Sequence, residues 1–134
     1  MIFAGKRPEN LGVRDGKLAS CPNSPNCVSS QSLDDLHKIV PLTYNSTREK
    51  ALADLKSVIQ SLPKTKIISE STDYLYAEFT SALMGFVDDV EFYFDPGGNI
   101  IHVRSASRLG QSDLGVNRKR IETIRTKLAE TQQS

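Results

Sequence analysis

The stretch "FVDDVEFYFDPGGNIIHVRSAS", Phe86 to Ser107, constrains this chain more than any other. Apolar and polar side chains alternate on both sides of a Pro-Gly-Gly turn signal, the period of a half-buried β-strand rather than a helix. Phe86, Val90, Phe92 and Phe94 share one face with Asp88, while Val87, Asp89, Glu91 and Tyr93 take the other. In the second arm Ile101 and Val103 point inward, and Ile100, His102 and Arg104 outward. A turn centred on Pro96 and Gly97 pairs Asp95 with Gly98. That register sets Phe92 against Ile101, Glu91 against His102 and Asp89 against Arg104. A slip of one residue would set core residues against charges. A shift of two keeps the faces and pairs Glu91 with Arg104. Opposite charges facing each other across strands add roughly 0.2–1 kcal/mol per pair.

The neighbouring segments extend the same sheet. "YLYAEFT" places Leu75, Ala77 and Phe79 on one face and Tyr76, Glu78 and Thr80 on the other, and "TKIIS" reads as a further short strand. Upstream, Ser46 with Glu49 three residues on forms a capping box before the helical stripe Leu52, Leu55, Ile59 and Leu62, which Pro63 stops. A last helix begins near Asn117 as N-cap, with Val116 and Ile121 as a hydrophobic staple, and buries Ile121, Ile124 and Leu128. Helix, three or four strands without helical crossovers, then helix implies antiparallel pairing. Both helices on one sheet face give a two-layer α+β domain.

The first 44 residues hold four of the six prolines, Pro8, Pro22, Pro25 and Pro41, and show no sustained periodicity. Their scattered apolar residues, Leu11, Val13, Leu18, Val28, Ile39 and Leu42, predict an extended strap lying over the domain rather than a free tail. A short strand near "HKIVPLTY" would be held to a sheet edge by Pro41. The expected organisation is an N-terminal strap over residues 1–44 and an α+β core over 45–134, all one domain. A length of 134 residues fits that count.

Charge excludes one broad class. With 17 basic and 16 acidic residues and a formal charge of +1, the chain lacks the basic excess of a general nucleic-acid binder. No apolar run reaches the roughly 18 residues of a membrane span. The start "MIFAGKRPENLGV" has no apolar core of a secretory signal. The expectation is a soluble chain without a transmembrane segment, located in the cytoplasm.

The outward sheet face would carry Tyr76, Glu78, Asp89, Glu91, Tyr93, His102 and Arg104, with Arg108 at its rim. Three readings follow. The face binds a small polar or anionic ligand or a protein partner, with Arg104 gripping a carboxylate or phosphate bidentately. Alternatively Asp89 or Glu91 is a general base and Arg104 an anion clamp in a small enzyme. Or the groups are ordinary ion pairs and partners for the strap. Asp88, on the otherwise apolar face, needs a cation or backbone donors. Arg108, Arg118, Arg120 and the N–H groups of "RLGQSDLGVN" are the candidates. That loop, with Ser112 and Asn117, ends at a helix N-terminus beside Arg118 and Arg120, so it is read as either a structural turn or an anion site. It lacks phosphate-loop spacing. Cys21 and Cys27 in "CPNSPNC" are free thiols by cytosolic default, a disulfide in an oxidising compartment, or a thiol-regulated pair. A metal site would need two more ligands, and His37 and His102 lack supporting spacing. No cofactor is expected. The balance favours a non-enzymatic binding or accessory module.

Taken together, "CPNSPNCVSSQ", "AEFTSALMGFVDDVEFYFD" and "HVRSASRLGQSDLGVNRKRIETIR" resemble the DUF1499 family of bacterial and plastid proteins, from about Asn10 to Leu128. The wording of "FAGKRPENLG" is most similar to cyanobacterial and plant versions. The family is one of unknown function, so the resemblance implies no reaction, cofactor or catalytic residue. Its members often follow an N-terminal membrane or export segment. For this chain the likeness to photosynthetic lineages adds the plastid stroma and a peripheral thylakoid association to the expected locations.

Overall fold

In the computed structural model, residues 5–81, 85–109 and 115–133 are described. Strands form where side chains alternate, and helices where apolar residues recur every three or four positions. In chain order they are β1 (Cys27–Ser29), β2 (Leu42–Thr43), α1 (Arg48–Ser61), β3 (Thr65–Glu70), β4 (Tyr74–Thr80), β5 (Val87–Phe94), β6 (Ile100–Ser107) and α2 (Val116–Gln132). The strands make one six-stranded antiparallel sheet in the order β1-β6-β5-β4-β3, with β2 also paired to β6. This is the expected α+β class, but β1 is an addition that the pattern near Cys27 did not announce.

One sheet face and the two helices enclose the core. Leu75, Ala77 and Phe79 of β4, Val90, Phe92 and Phe94 of β5, and Ile101 and Val103 of β6 meet Ala51, Leu55, Val58 and Ile59 of α1. Ile121, Ile124 and Leu128 of α2 close the same cluster. Each large apolar side chain taken fully out of water contributes roughly 1.5–3 kcal/mol. Phe86, expected on this face, lies just before β5 and is partly exposed.

Three local expectations need correction. The β5–β6 hairpin pairs Phe94 with Ile101, Phe92 with Val103 and Glu91 with Arg104, two residues away from the register with Phe92 opposite Ile101. The cause is the turn: Asp95 Oδ2 accepts from Gly97 N, and Asp95 N donates to Ile100 O, so Pro96 to Asn99 form a four-residue connection. At α1 the cap is Thr47, whose hydroxyl accepts from Lys50 N, and not Ser46, which bonds Thr47 O. At α2 the cap position is Gly115, in the left-handed region at φ 80. Asn117 therefore sits inside the first turn, fully buried, and Val116 is exposed rather than stapled to Ile121.

The second sheet face is not open. Residues 5–20 run across it without joining any strand of the sheet, their one β-bridge being the local Arg14–Lys17 contact. Of the strap expected over residues 1–44, residues 5–20 lie against the charged side, while Cys27–Ser29 and Leu42–Thr43 join the sheet as β1 and β2.

Candidate functional site

Alternation along β4, β5 and β6 brings Tyr74, Tyr76, Glu78, Asp89, Glu91, Tyr93, His102 and Arg104 to the face beneath residues 5–20. Arg108 reaches in from just beyond β6. These groups divide into two clusters.

The first centres on Asp89, which is 1% exposed. Arg108 donates to it twice, Nε to Oδ2 at 2.9 Å and Nη2 to Oδ1 at 2.8 Å. The same Nη2 lies 2.5 Å from Glu78 Oε2, and the Tyr76 hydroxyl lies 2.5 Å from Asp89 Oδ1. The Asp89 hydrogen bonds hold the Arg108 guanidinium above its usual range. Burial, with the hydrogen bond to Asp89, pushes the Tyr76 phenol up, so it stays a donor. For Glu78 burial works upward, yet donors from Arg7 and Arg108 win and hold its carboxyl below the usual range.

The second cluster is Glu91 with Arg104. Glu91 is 0% exposed, and its Oε2 accepts from Gly12 N at 2.7 Å and from the Tyr74 hydroxyl at 2.6 Å. Its Oε1 lies 3.9 Å from Arg104 Nη1. Arg104 is 5% exposed and donates through Nη2 to Ser20 O at 3.2 Å. Glu91 Oε1 and Arg104 Nε are both buried without a hydrogen-bond partner. Burial pushes the Glu91 carboxyl up and the Arg104 guanidinium down, against the pull of each on the other. Taking these charges out of water therefore costs more than their attraction returns at that distance.

Asp88 sits apart, at the polar end of the core face. Arg120 Nη2 pairs with its Oδ2 at 2.7 Å, and the same guanidinium stacks over Phe79 at 4.9 Å and donates to Asn117 Oδ1 at 2.8 Å. Asn117 also accepts from Ser105 Oγ and donates to Ser107 Oγ and Asn26 O. Of the three cations named for Asp88, Arg120 is the one that pairs. Anchoring of the loop beyond it falls on residues 110–114, outside the described residues.

The other named residues scatter. His102 stacks on Tyr93 and lies 3.4 Å from Asp95 and 3.3 Å from Ser30, away from Glu91. Arg118 donates to Leu36 O and Lys38 O, so its guanidinium grips the chain rather than an anion. Ser112 lies outside the described residues. Cys21 and Cys27 are joined by a disulfide, against the free-thiol default, because the turn through Pro22 and Pro25 brings their Cα atoms to 5.7 Å. That bond ties the end of the strap, next to Ser20, to β1. Four contributors were not named from the pattern: Arg7, Tyr74, and the main chains of Gly12 and Ser20. Tyr74 alone was legible, since it has the parity of Tyr76 on β4.

Among the described residues, no group of three or more His, Cys, Asp or Glu is placed to hold a metal ion. No helix among them is long and apolar enough to cross a membrane. Compared with known proteins, residues 17–128 match the family model described as a protein of unknown function, DUF1499. No curated protein matches the chain.

Proposed function

The chain belongs to the DUF1499 family, proteins of unknown function, and on that premise we propose a non-enzymatic recognition module that works through its charged sheet face. The observation that carries this reading is the condition of the two carboxylates. Asp89 and Glu91 lie 1% and 0% exposed under main chain, one clamped by Arg108 and the other holding Gly12 N and the Tyr74 hydroxyl. A general base must reach its substrate's proton directly or through one water. Buried and bonded to intramolecular donors, neither carboxylate has that reach, which supports recognition over catalysis. Arg104, Arg108, Tyr76 and Glu91 are the recognising residues, with His102 at the margin, and the ligand is a small polar molecule or a protein partner.

The disulfide supports a second element of the reading, placement in an oxidising compartment rather than a reducing cytoplasm. The likeness of its first residues to cyanobacterial and plant sequences supports a photosynthetic lineage.

The test is a thermal-shift panel of small carboxylates, phosphates and host extract fractions against the full chain, Arg104→Met and Arg108→Gln. A ligand at 100 times its Kd adds about 2.7 kcal/mol to stability. The expected result is a rise in Tm for the wild type that the two variants lose. A panel in which no shift depends on either arginine sinks the proposal.

A further inference from the structure

We infer that the charged face is a receptor for an arginine-bearing segment of another polypeptide, and that residues 5–20 are its built-in occupant. The inference rests on the recognition reading above and names the ligand class.

The argument starts from what the face touches. Arg108 Nη1 donates to Gly5 O at 3.4 Å, Glu91 accepts from Gly12 N at 2.7 Å, and Arg104 donates to Ser20 O at 3.2 Å. All three strap groups are main-chain atoms, present in any polypeptide. One strap side chain is read electrostatically: Arg7 donates to Glu78 Oε2 through Nε at 2.8 Å, with Nη2 at 2.7 Å. Gly12 has φ +97, a conformation that favours glycine. The face thus specifies an arginine five residues before a glycine of positive φ, on a chain whose carbonyls are offered on either side.

Two observations indicate that the built-in occupant can be replaced. Residues 5–20 make no ladder with the sheet, and Arg7 is 52% exposed, so its ion pair is a weak hold. The fit is also incomplete. Glu91 Oε1 and Arg104 Nε, on fully buried or nearly buried side chains under the strap, have no hydrogen-bond partner. An incoming chain that brings a donor to one and an acceptor to the other gains bonds that the strap does not make.

The probe is a labelled peptide copying residues 5–20, GKRPENLGVRDGKLAS, titrated against the full chain by fluorescence anisotropy. A tethered segment competes at an effective concentration on the order of millimolar, so the titration extends to that range. The wild type should bind weakly. Full-chain Arg7→Ala should bind about threefold to fivefold tighter, and Gly12→Pro about tenfold or more. The peptide carrying Arg7→Glu should bind more weakly, and a Glu78→Gln chain should not distinguish the two peptides. Two loosened variants keep the test meaningful should one fail to fold. No binding by any folded variant, or equal affinity for both peptides on the wild type, overturns the inference. If an Arg104-dependent ligand shift persists in that case, the peptide class alone is lost. If no such shift exists, the recognition reading falls with it.

Discussion

Replacing Arg104 by methionine, close to it in volume, leaves the fully buried Glu91 carboxylate without its cation. The variant's relief is to bind a proton. Holding a proton on a carboxyl whose ordinary pKa is 4.5 costs about 1.4 kcal/mol for each pH unit above that value. The electrostatic loss therefore has a ceiling of about 4 kcal/mol at pH 7.5 and under about 1 kcal/mol at pH 5. Burial already pushes the wild-type carboxyl up, so the realised loss at pH 7.5 falls below that ceiling. Ser20 O also loses a donor, which adds about 1 kcal/mol at every pH.

The sign follows from linkage. A buried acid with a raised pKa takes up a proton on folding, so its contribution is complete below 4.5 and is lost as pH rises through the raised value. The wild type should lose stability over that window, and Arg104→Met should lose more of it and over a longer span. Urea unfolding at pH 5 and pH 7.5 measures both. The expected deficit is at most about 5 kcal/mol at the higher pH and under about 2 kcal/mol at the lower, the higher-pH deficit being the larger. A deficit equal at both values would mean that Arg104 acts by packing alone, and the account of the pair would be refuted.

Asp88→Asn should cost about 1–2 kcal/mol, because Arg120 keeps Asn117 and Phe79 but loses its carboxylate; an unchanged denaturation midpoint dismisses the anchor. Reducing the Cys21–Cys27 bond should add about 2 Da to the intact mass and remove about 2–3 kcal/mol, as expected for so short a closed loop; an unchanged mass and melt contradict it. Arg7→Ala should cost little stability, an effect that shrinks with added salt, and a large or salt-independent loss in urea unfolding points elsewhere. The double variant Glu91→Leu with Arg104→Met should be less destabilised at pH 7.5 than Arg104→Met alone, with a smaller dependence on pH, while the Gly12 amide exchanges faster; a larger loss than the single variant's speaks against it.

The faces of the hairpin were legible because a period of two is a local property: Phe92, Phe94, Ile101 and Val103 are buried together, and Glu91 and Arg104 share the other side. Its register was not, because composition does not separate a two-residue turn from one in which the Asp95 side chain holds Gly97 N. Asn117 misled for a related reason. Its propensity to cap is real, but Gly115 takes the left-handed cap position and leaves Asn117 to knit Ser105, Ser107 and Asn26 in the interior. The strap's contacts were invisible in principle. They run from Gly5 O, Gly12 N and Ser20 O, atoms that every residue or nearly every residue carries, and they span 79 to 103 positions of sequence.

Those long-range contacts also explain why so much charge lies under a strap. Residues 5–20 offer few apolar side chains, so a greasy second face would hold them with no preferred placement. Discrete groups behave differently: from the strap, Glu78 accepts one cation and Glu91 one N–H, while Arg104 and Arg108 each donate to one carbonyl. Sliding the strap by one residue would break the Arg7 pairing and strand a buried carboxylate, a cost of several kcal/mol. Glu91 and Arg104 gain little in the correct placement, since burial offsets most of their attraction. Strong discrimination between registers combined with weak net holding lets a segment be placed specifically and still be exchanged. A covering evolved for rigidity alone would have been apolar.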